Sequence, residues 1–444
     1  MVFAGLSFLI FVFPIVILLH NLLPAKYRNA FLLFASIVFY AWGDIKYIPL
    51  LLFISIMNFV LGLQIQKTNN KVYLIIGLVL DVGILLYYKY FAFFMQQLGI
   101  TLPYEIRLPL GISFFTFQTL SYLIDVYRKD IVADNNIIDY LTYILMFPQL
   151  IAGPIVRYSN IAVELKNRQI SNTNLEKGMV QFILGLSAKV LLANYFATLF
   201  TQANAYHSSF ASLVVVLSIG MQYYFDFAGY SLMAIGMGNM MGFSFPINFN
   251  MPYSAYSATT FWRRWHITLG TWFKEYVYIP LGGNRVSILR QICNIVVVWS
   301  LTGFWHGASW NFLVWGFYFA VVLLFEKFYL HKFLKENSVL SHLYGLIVIF
   351  IGWYFVGYTD LQLAIQKIAE LFAMKLFSYD LYLLQISIIP IFISVALCIP
   401  KVCTILQKLL QCTYCKTIVC IALLLLCIAS LVSSGFNPFL YFRF

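Results

Sequence analysis

Thr260–Arg285, TFWRRWHITLGTWFKEYVYIPLGGNR, and Gly303–Gly316, GFWHGASWNFLVWG, each set one histidine among tryptophans in an otherwise greasy polypeptide. Roughly five helical turns separate them. An imidazole in or near a bilayer is expensive without a partner or a task, so two of them in adjacent segments mark a functional site. The surrounding chain defines the solvent. It is 62% hydrophobic, 19% aromatic and only 10% charged, with a mean hydropathy of +0.85, far too apolar for a soluble globule. A spanning helix needs roughly 20 mostly apolar residues, and about eleven candidates meet or approach that length. They run from Phe3 to Leu23, Ile48 to Leu63, Val72 to Phe94, Ile138 to Ile155, Met179 to Phe200 and Ala211 to Phe227. The rest run from Ile292 to Phe304, Phe312 to Phe325, Leu343 to Val356, Leu384 to Ile399 and Ile418 to Val432. Several are short for a bilayer, which predicts re-entrant or interrupted helices in an all-α polytopic membrane protein.

The N-terminal apolar run resembles a secretory signal only in position. It lacks a basic n-region, contains Phe8, Phe11 and Phe13 and meets no small-x-small cleavage site, so it reads as a retained helix. Lysine and arginine number 28 against 16 acidic residues, a formal net charge of +12. In a membrane protein such an excess marks cytoplasmic loops rather than nucleic-acid binding. The loops with Lys26 and Arg28, Lys67 and Lys71, Arg128 and Lys129, Arg263 to Arg290, Lys327 to Lys335 and Lys401 to Lys416 therefore lie inside. Thr201–Phe210, without Lys or Arg, lies outside, as does the N-terminus. Around Arg157–Lys177 the alternation is not clean. The positive face also suits an acidic carrier protein or a coenzyme phosphate.

Six of the seven cysteines fall at or after Cys398. One C-x-x-C, Cys412 to Cys415, without a second ligand pair does not make a zinc site, so no metal is expected and the thiols read as apolar filler. No linker, repeat or low-complexity run divides the chain, which predicts one membrane domain over 1–444 with a motif-dense catalytic region at 260–316. Phe243–Thr260 is too irregular for a lipid-facing helix and must line a cavity or lie at the surface. Gly236–Gly242 has the wrong spacing for a dinucleotide loop, while Gly238-x-x-x-Gly242 suits close helix packing. No G-x-S-x-G, G-x-x-x-x-G-K or H-E-x-x-H is present, which leaves serine hydrolase, ATPase and zinc protease readings unsupported.

The chemistry then rests on histidines. His20, His207, His331 and His342 fall at predicted helix ends or loops and read as solvated or interfacial. His306 follows an apolar run and precedes Gly307, with Trp305, Ala308, Ser309 and Asn311 nearby. Small neighbours leave room for a substrate, and aromatic walls exclude water and favour a neutral base. Such a base can take the proton of a hydroxyl that attacks a thioester or ester carbonyl. A packing histidine bonded to a backbone carbonyl is the competing reading. His266 lies among Arg263, Arg264, Lys274 and Glu275 on a segment that is either a basic interfacial helix or one folded back into the membrane, its cations toward an anionic donor. Asp226, between phenylalanines in a predicted span, calls for an arginine or histidine partner and a structural role.

At these residues the chain resembles the membrane-bound O-acyltransferase superfamily, in its bacterial alginate and peptidoglycan O-acetyltransferase branch. WRRWH…WFKEYVYIPLGGN and FWHGASWNFLVWG are similar to its two signature segments. Pro109–Gln118, Phe147–Arg157, the Asp226 segment and the ending Asn437–Phe444 extend the likeness, in order, over nearly the whole chain. After Gly229-Tyr-Ser, Leu232 stands where that family often carries an acid, and the position is assigned no role.

The resemblance implies about ten or eleven transmembrane helices plus re-entrant helices around a central funnel or tunnel, in a bacterial cytoplasmic (inner) membrane. It maps the catalytic histidine onto His306 and the second signature histidine onto His266, with Trp305, Ser309, Asn311 and Asp226 as support and Arg263, Arg264 and Lys274 as donor-binding candidates. The implied reaction passes acetyl from a cytosolic acetyl-coenzyme A or acylated carrier across the membrane to a hydroxyl. An extracytoplasmic partner enzyme then acetylates a cell-envelope polysaccharide, peptidoglycan ahead of an alginate-like polymer. D-alanyl transfer to teichoic acids is the alternative within the superfamily. A transporter or flippase without acyl chemistry is the alternative of another class, and it predicts inverted repeats that the sequence does not show.

Overall fold

The computed structural model describes residues 3–150, 153–336 and 338–434. Among them every regular element is helical, as an interior without water demands of backbone N–H and C=O groups. Nine helices are long and apolar enough to cross a membrane. They are α1 (Ala25–Thr68), α2 (Lys71–Gln97), α3 (Asn172–Asn204), α4 (Ser209–Met240), α5 (Ile288–His306), α6 (Trp310–Leu334), α7 (Ser338–Gly357), α8 (Asp380–Leu397) and α9 (Thr413–Ser433). At 44 residues, α1 would reach about 66 Å if straight, twice a bilayer core. It breaks at the 3₁₀ turn Ile45–Tyr47, after Asp44 leaves helical geometry at φ −158°, into arms of 20 and 21 residues, each long enough to cross.

Three expectations change. Ala25–Asp44 was absent from the predicted spans, because Lys26, Arg28 and Asn29 dilute its start. The predicted span Ile138–Ile155 is instead a nine-residue helix, Ile137–Leu145, followed by a break at Met146 and one turn at Phe147–Leu150. Phe3–Leu23 contains an apolar helix, Phe8–Leu22, too short to stand with the nine. The closing motif Asn437–Phe444 lies outside the described residues, as do Ile151 and Ala152 of the Phe147–Arg157 motif.

Contacts divide the chain into two compact units, Met1–Ile183 with Tyr230–Ile247, and Leu184–Gly229 with Asn248–Phe444. In the first, Ile112–Arg128 is a helix buried on almost every side. Ser113, Thr116, Gln118, Thr119, Ser121 and Asp125 keep its hydropathy low, and protein rather than lipid surrounds them: Thr119 and Ser121 hydroxyls donate to carbonyls one turn back. His20 also belongs here. It is buried, not interfacial, with Asn21 at 2.9 Å on Nδ1 and the Arg168 guanidinium at 3.0 Å on Nε2. The glycines of 236–242 do pack closely, but a Cβ on Gly236 would strike the Gly178 carbonyl oxygen, whereas Gly242 lies past the helix end at φ +82°.

The second unit carries both signature segments. Its centre is an aromatic core in which Trp265, Trp315, Trp353 and Tyr354 are buried together. The hairpin α5–α6 closes to backbone contact. A Cβ on Gly303 would overlap the Phe312 carbonyl oxygen and lie 3.1 Å from Gly316 Cα, and one on Gly316 would overlap the Trp299 carbonyl oxygen. Small residues at a helix crossing let backbones approach and dispersion accumulate where lipid offers no hydrophobic drive. That crossing fixes His306, three residues beyond Gly303.

Candidate active site

His306 is the last residue of α5 and His266 the hinge of a broken helix, and the two line one cavity of about 250 Å³. The break at His266 has a local cause. Ser257 caps the helix Ala258–Trp262 with a reciprocal Thr260 bond, and the buried Glu326 carboxylate accepts the Ala258 and Thr259 N–H groups at 2.7 and 2.8 Å. At His266 the chain turns left-handed, φ +45°, and restarts as Ile267–Phe273. Histidine visits this region more readily than branched residues, yet such a conformation needs external support.

Asn248 supplies it. Its backbone oxygen accepts the Ile267 N–H at 2.9 Å. Its side-chain Oδ1 accepts from the Thr268 hydroxyl at 2.9 Å and N–H at 3.3 Å, and from His266 Nδ1 at 3.1 Å. The Thr268 N–H pins the amide orientation, so His266 holds its proton on Nδ1 and keeps Nε2 as the basic nitrogen. Burial first, and the neighbouring His306 second, hold His266 well below the usual imidazole range, which keeps it neutral at physiological pH. The irregular stretch that carries Asn248 thus serves the site.

Around the two histidines the walls are aromatic. Trp305 packs against both from behind the lining, its ring 5.9 Å from His266 and 4.9 Å from His306, and does not itself line the cavity. Phe227 meets His266 edge-on at 4.6 Å, and Trp315 meets His306 edge-on at 5.1 Å. The cavity runs from these buried rings past Thr302, Trp262 and Trp299 to exposed Lys274 and half-buried Tyr278. On another side His306 borders a second space, about 10 Å³, shared with Tyr223, Phe312 and Trp353. That is room for about one water.

The predicted residues do not all converge. Lys274 lines the cavity, whereas Arg263 is exposed and Arg264 turns away to donate to Ser254 Oγ at 2.6 Å. Ser309 precedes α6 at its N-cap, and Asn311 donates to the Tyr358 carbonyl oxygen at 2.7 Å. Neither lines the histidine cavity. Asp226 pairs with Lys189 at 2.6 Å, both almost wholly buried, rather than with the arginine or histidine expected. Among the described residues, no three His, Cys, Asp or Glu side chains gather as a metal site.

The family model for MBOAT, membrane-bound O-acyltransferase family, matches residues 32–358. The chain belongs to that family. This MBOAT chain is 36% identical over 390 residues to the protein named "Probable alginate O-acetylase AlgI" from Azotobacter vinelandii, covering 84% of this chain and 78% of that one. It is 34% identical over 401 residues to the peptidoglycan O-acetyltransferase of Helicobacter pylori, 80% of this chain and 76% of that one. To the teichoic acid D-alanyltransferase of Streptococcus thermophilus the likeness is 30% over 244 residues, 50% of this chain and 58% of that one. The MBOAT chain is therefore a multi-pass membrane acyltransferase that uses an acyl donor, which removes the transporter reading.

Sequence reasoning missed Asn248, Glu326 and Thr302. For Glu326 a signal existed: a carboxylate at the end of the apolar run Phe312–Phe325 costs too much to stand without a task. For Asn248, inside an irregular stretch, none did.

Proposed function

We propose that this MBOAT chain passes acetyl from a cytosolic thioester across the bacterial inner membrane, for O-acetylation of a cell-envelope polysaccharide. The observation that carries the reading is the shared cavity of His266 and His306, open at Lys274. Its volume, about 250 Å³, is below that of ordinary small-molecule pockets, which start near ~300 Å³. It suits the acyl end of a donor, while a nucleotide or carrier protein stays outside on the basic loops. Acetyl-coenzyme A and an acylated carrier both fit that division.

In the proposed step His306 accepts the proton of the acceptor hydroxyl as its oxygen attacks the thioester carbonyl carbon. The new C–O bond forms, the C–S bond breaks, and the proton passes from the imidazole to the departing thiolate. Neutral His266, oriented by Asn248, stands beside the acyl group, and the lining rings of Trp262, Trp265 and Trp299 keep water from hydrolysing the thioester. A positioned base contributes ~10²–10⁴-fold. The acceptor hydroxyl reaches His306 from the external side and belongs to an extracytoplasmic partner that hands acetyl to the polymer. The names of the relatives support peptidoglycan or an alginate-like polymer, and the half-length likeness to a D-alanyltransferase makes D-alanyl transfer the lesser reading.

Inside-out membrane vesicles containing the chain, given acetyl-labelled coenzyme A and a membrane-impermeant hydroxyl acceptor in the lumen, test this. Label should reach the lumenal acceptor with wild type and not with His306→Ala. Equal transfer by both would remove His306 from the chemistry.

A further inference from the structure

A second, larger cavity of about 560 Å³ lies in the same unit and shares no lining residue with the histidine cavity. Its walls are apolar: Leu217 and Met221 from α4, Phe350 from α7 and Val395 from α8. It deepens from exposed Val395 and Ile399 to Met221 and Tyr253, which are buried. In a membrane protein an exposed apolar mouth on the side of helices opens to lipid, not water.

The depth of that mouth follows from the chain beyond it. Pro400–Leu409 is a helix with no buried residue and with Lys401 and Lys408 among its polar positions. At ten residues it reaches about 15 Å, too short to cross. An amphipathic helix of this kind lies in the headgroup plane. Pro400 lines the cavity, so the mouth sits at headgroup level, on the side that the positive loops place inside.

One guanidinium, Arg264, and one imidazole, His342, line this cavity and no carboxylate does. Arg264 is half-buried, its Nη1 donating to Ser254 Oγ, and a guanidinium retains further donors in the fork that matches phosphate. His342 is anchored by Nδ1 donating to the Ala255 carbonyl oxygen at 2.9 Å. We propose that this cavity binds one anionic phospholipid of the surrounding bilayer, its phosphate at Arg264 and His342 and an acyl chain along Leu217, Met221 and Val395. The volume lies within the ~300–1,000 Å³ of ligand pockets. The donor's phosphates fit less well, since a donor held here would not share the cavity of His266 and His306. Arg264 precedes His266 by two residues, so an occupied site steadies the segment that turns at His266.

The full chain in nanodiscs of neutral phosphatidylcholine, titrated with phosphatidylglycerol and followed by native mass spectrometry and thermal unfolding, tests the site without any acyl transfer. Wild type should retain one phosphatidylglycerol in preference to phosphatidylcholine, and its unfolding midpoint should rise. Val395→Trp, an exposed position where a larger ring fills the mouth without disturbing the core, should lower that retention at least tenfold and abolish the rise. Arg264→Gln should erase the preference between the two lipids while both variants remain folded. Equal retention of both lipids by wild type, or undiminished phosphatidylglycerol on Val395→Trp, would overturn the proposal. Displacement of phosphatidylglycerol by free coenzyme A would also overturn it and give the cavity to the donor.

Discussion

His266 and Asn248 show how one hydrogen-bonded pair sets a site. A histidine at φ +45° persists because Asn248 accepts from His266 itself and from the two residues that follow it. Asn248→Ala removes the side-chain Oδ1, leaving the backbone oxygen, so the Thr268 hydroxyl and N–H are buried without their acceptor, a cost of about 1–3 kcal/mol for each unsatisfied group. The expected outcome is a folded protein with a lower melting midpoint and acyl transfer reduced at least tenfold in membranes. Unchanged transfer would separate His266 from the chemistry. Lys189 and Asp226 make a second residue-scale case. A pair this buried is weak evidence of stability, but breaking it is severe, about 3–5 kcal/mol. Lys189→Ala should depress expression and unfolding midpoint sharply. Lys189→Met combined with Asp226→Leu should recover most of the loss, a result read from the same thermal melts.

At the scale of elements, the Gly303–Gly316 crossing of α5 and α6 holds His306 in place. Gly303→Val inserts atoms where the Phe312 carbonyl oxygen already stands, so the helices must part or shift. Acyl transfer should fall by two orders of magnitude or more while the protein still inserts. Gly83→Ala in α2 is the contrast, since a Cβ there meets nothing within 4 Å, and it should be neutral or slightly stabilising because alanine favours helix. The elements legible from sequence were the lipid-facing ones, where hydropathy and environment agree: Val72–Phe94 and Ile418–Val432 match α2 and α9 closely. Ile112–Arg128 escaped because protein surrounds it, so Thr119 and Ser121 bond to carbonyls of their own helix and no greasy run is needed. His266 and His306 stood out as expensive residues in apolar surroundings. Their convergence on one cavity, and the departure of Arg264 to another, depend on a left-handed turn that no local pattern announced.

At the scale of the whole molecule, charge asymmetry orients the chain. The segment joining α8 to α9 carries Lys401 and Lys408, α9 opens with Lys416, and the positive-inside rule predicts this end inside. In a chain retaining only Cys412, which is exposed, an impermeant maleimide should label spheroplasts only after the membrane is opened. Labelling of intact spheroplasts would invert the topology and place Lys274 on the acceptor side. With the proposed orientation and chemistry together, acetyl should enter from within and leave past His306. Ester-linked acetate released by mild base from envelope polysaccharide tests it most directly, in cells lacking this chain and complemented with wild type or His306→Ala. Acetate should vanish on deletion and return only with wild type, and the sugar fraction that releases it names the polymer. Acetate restored by His306→Ala, or unchanged by deletion while ester-linked D-alanine falls, would contradict the account.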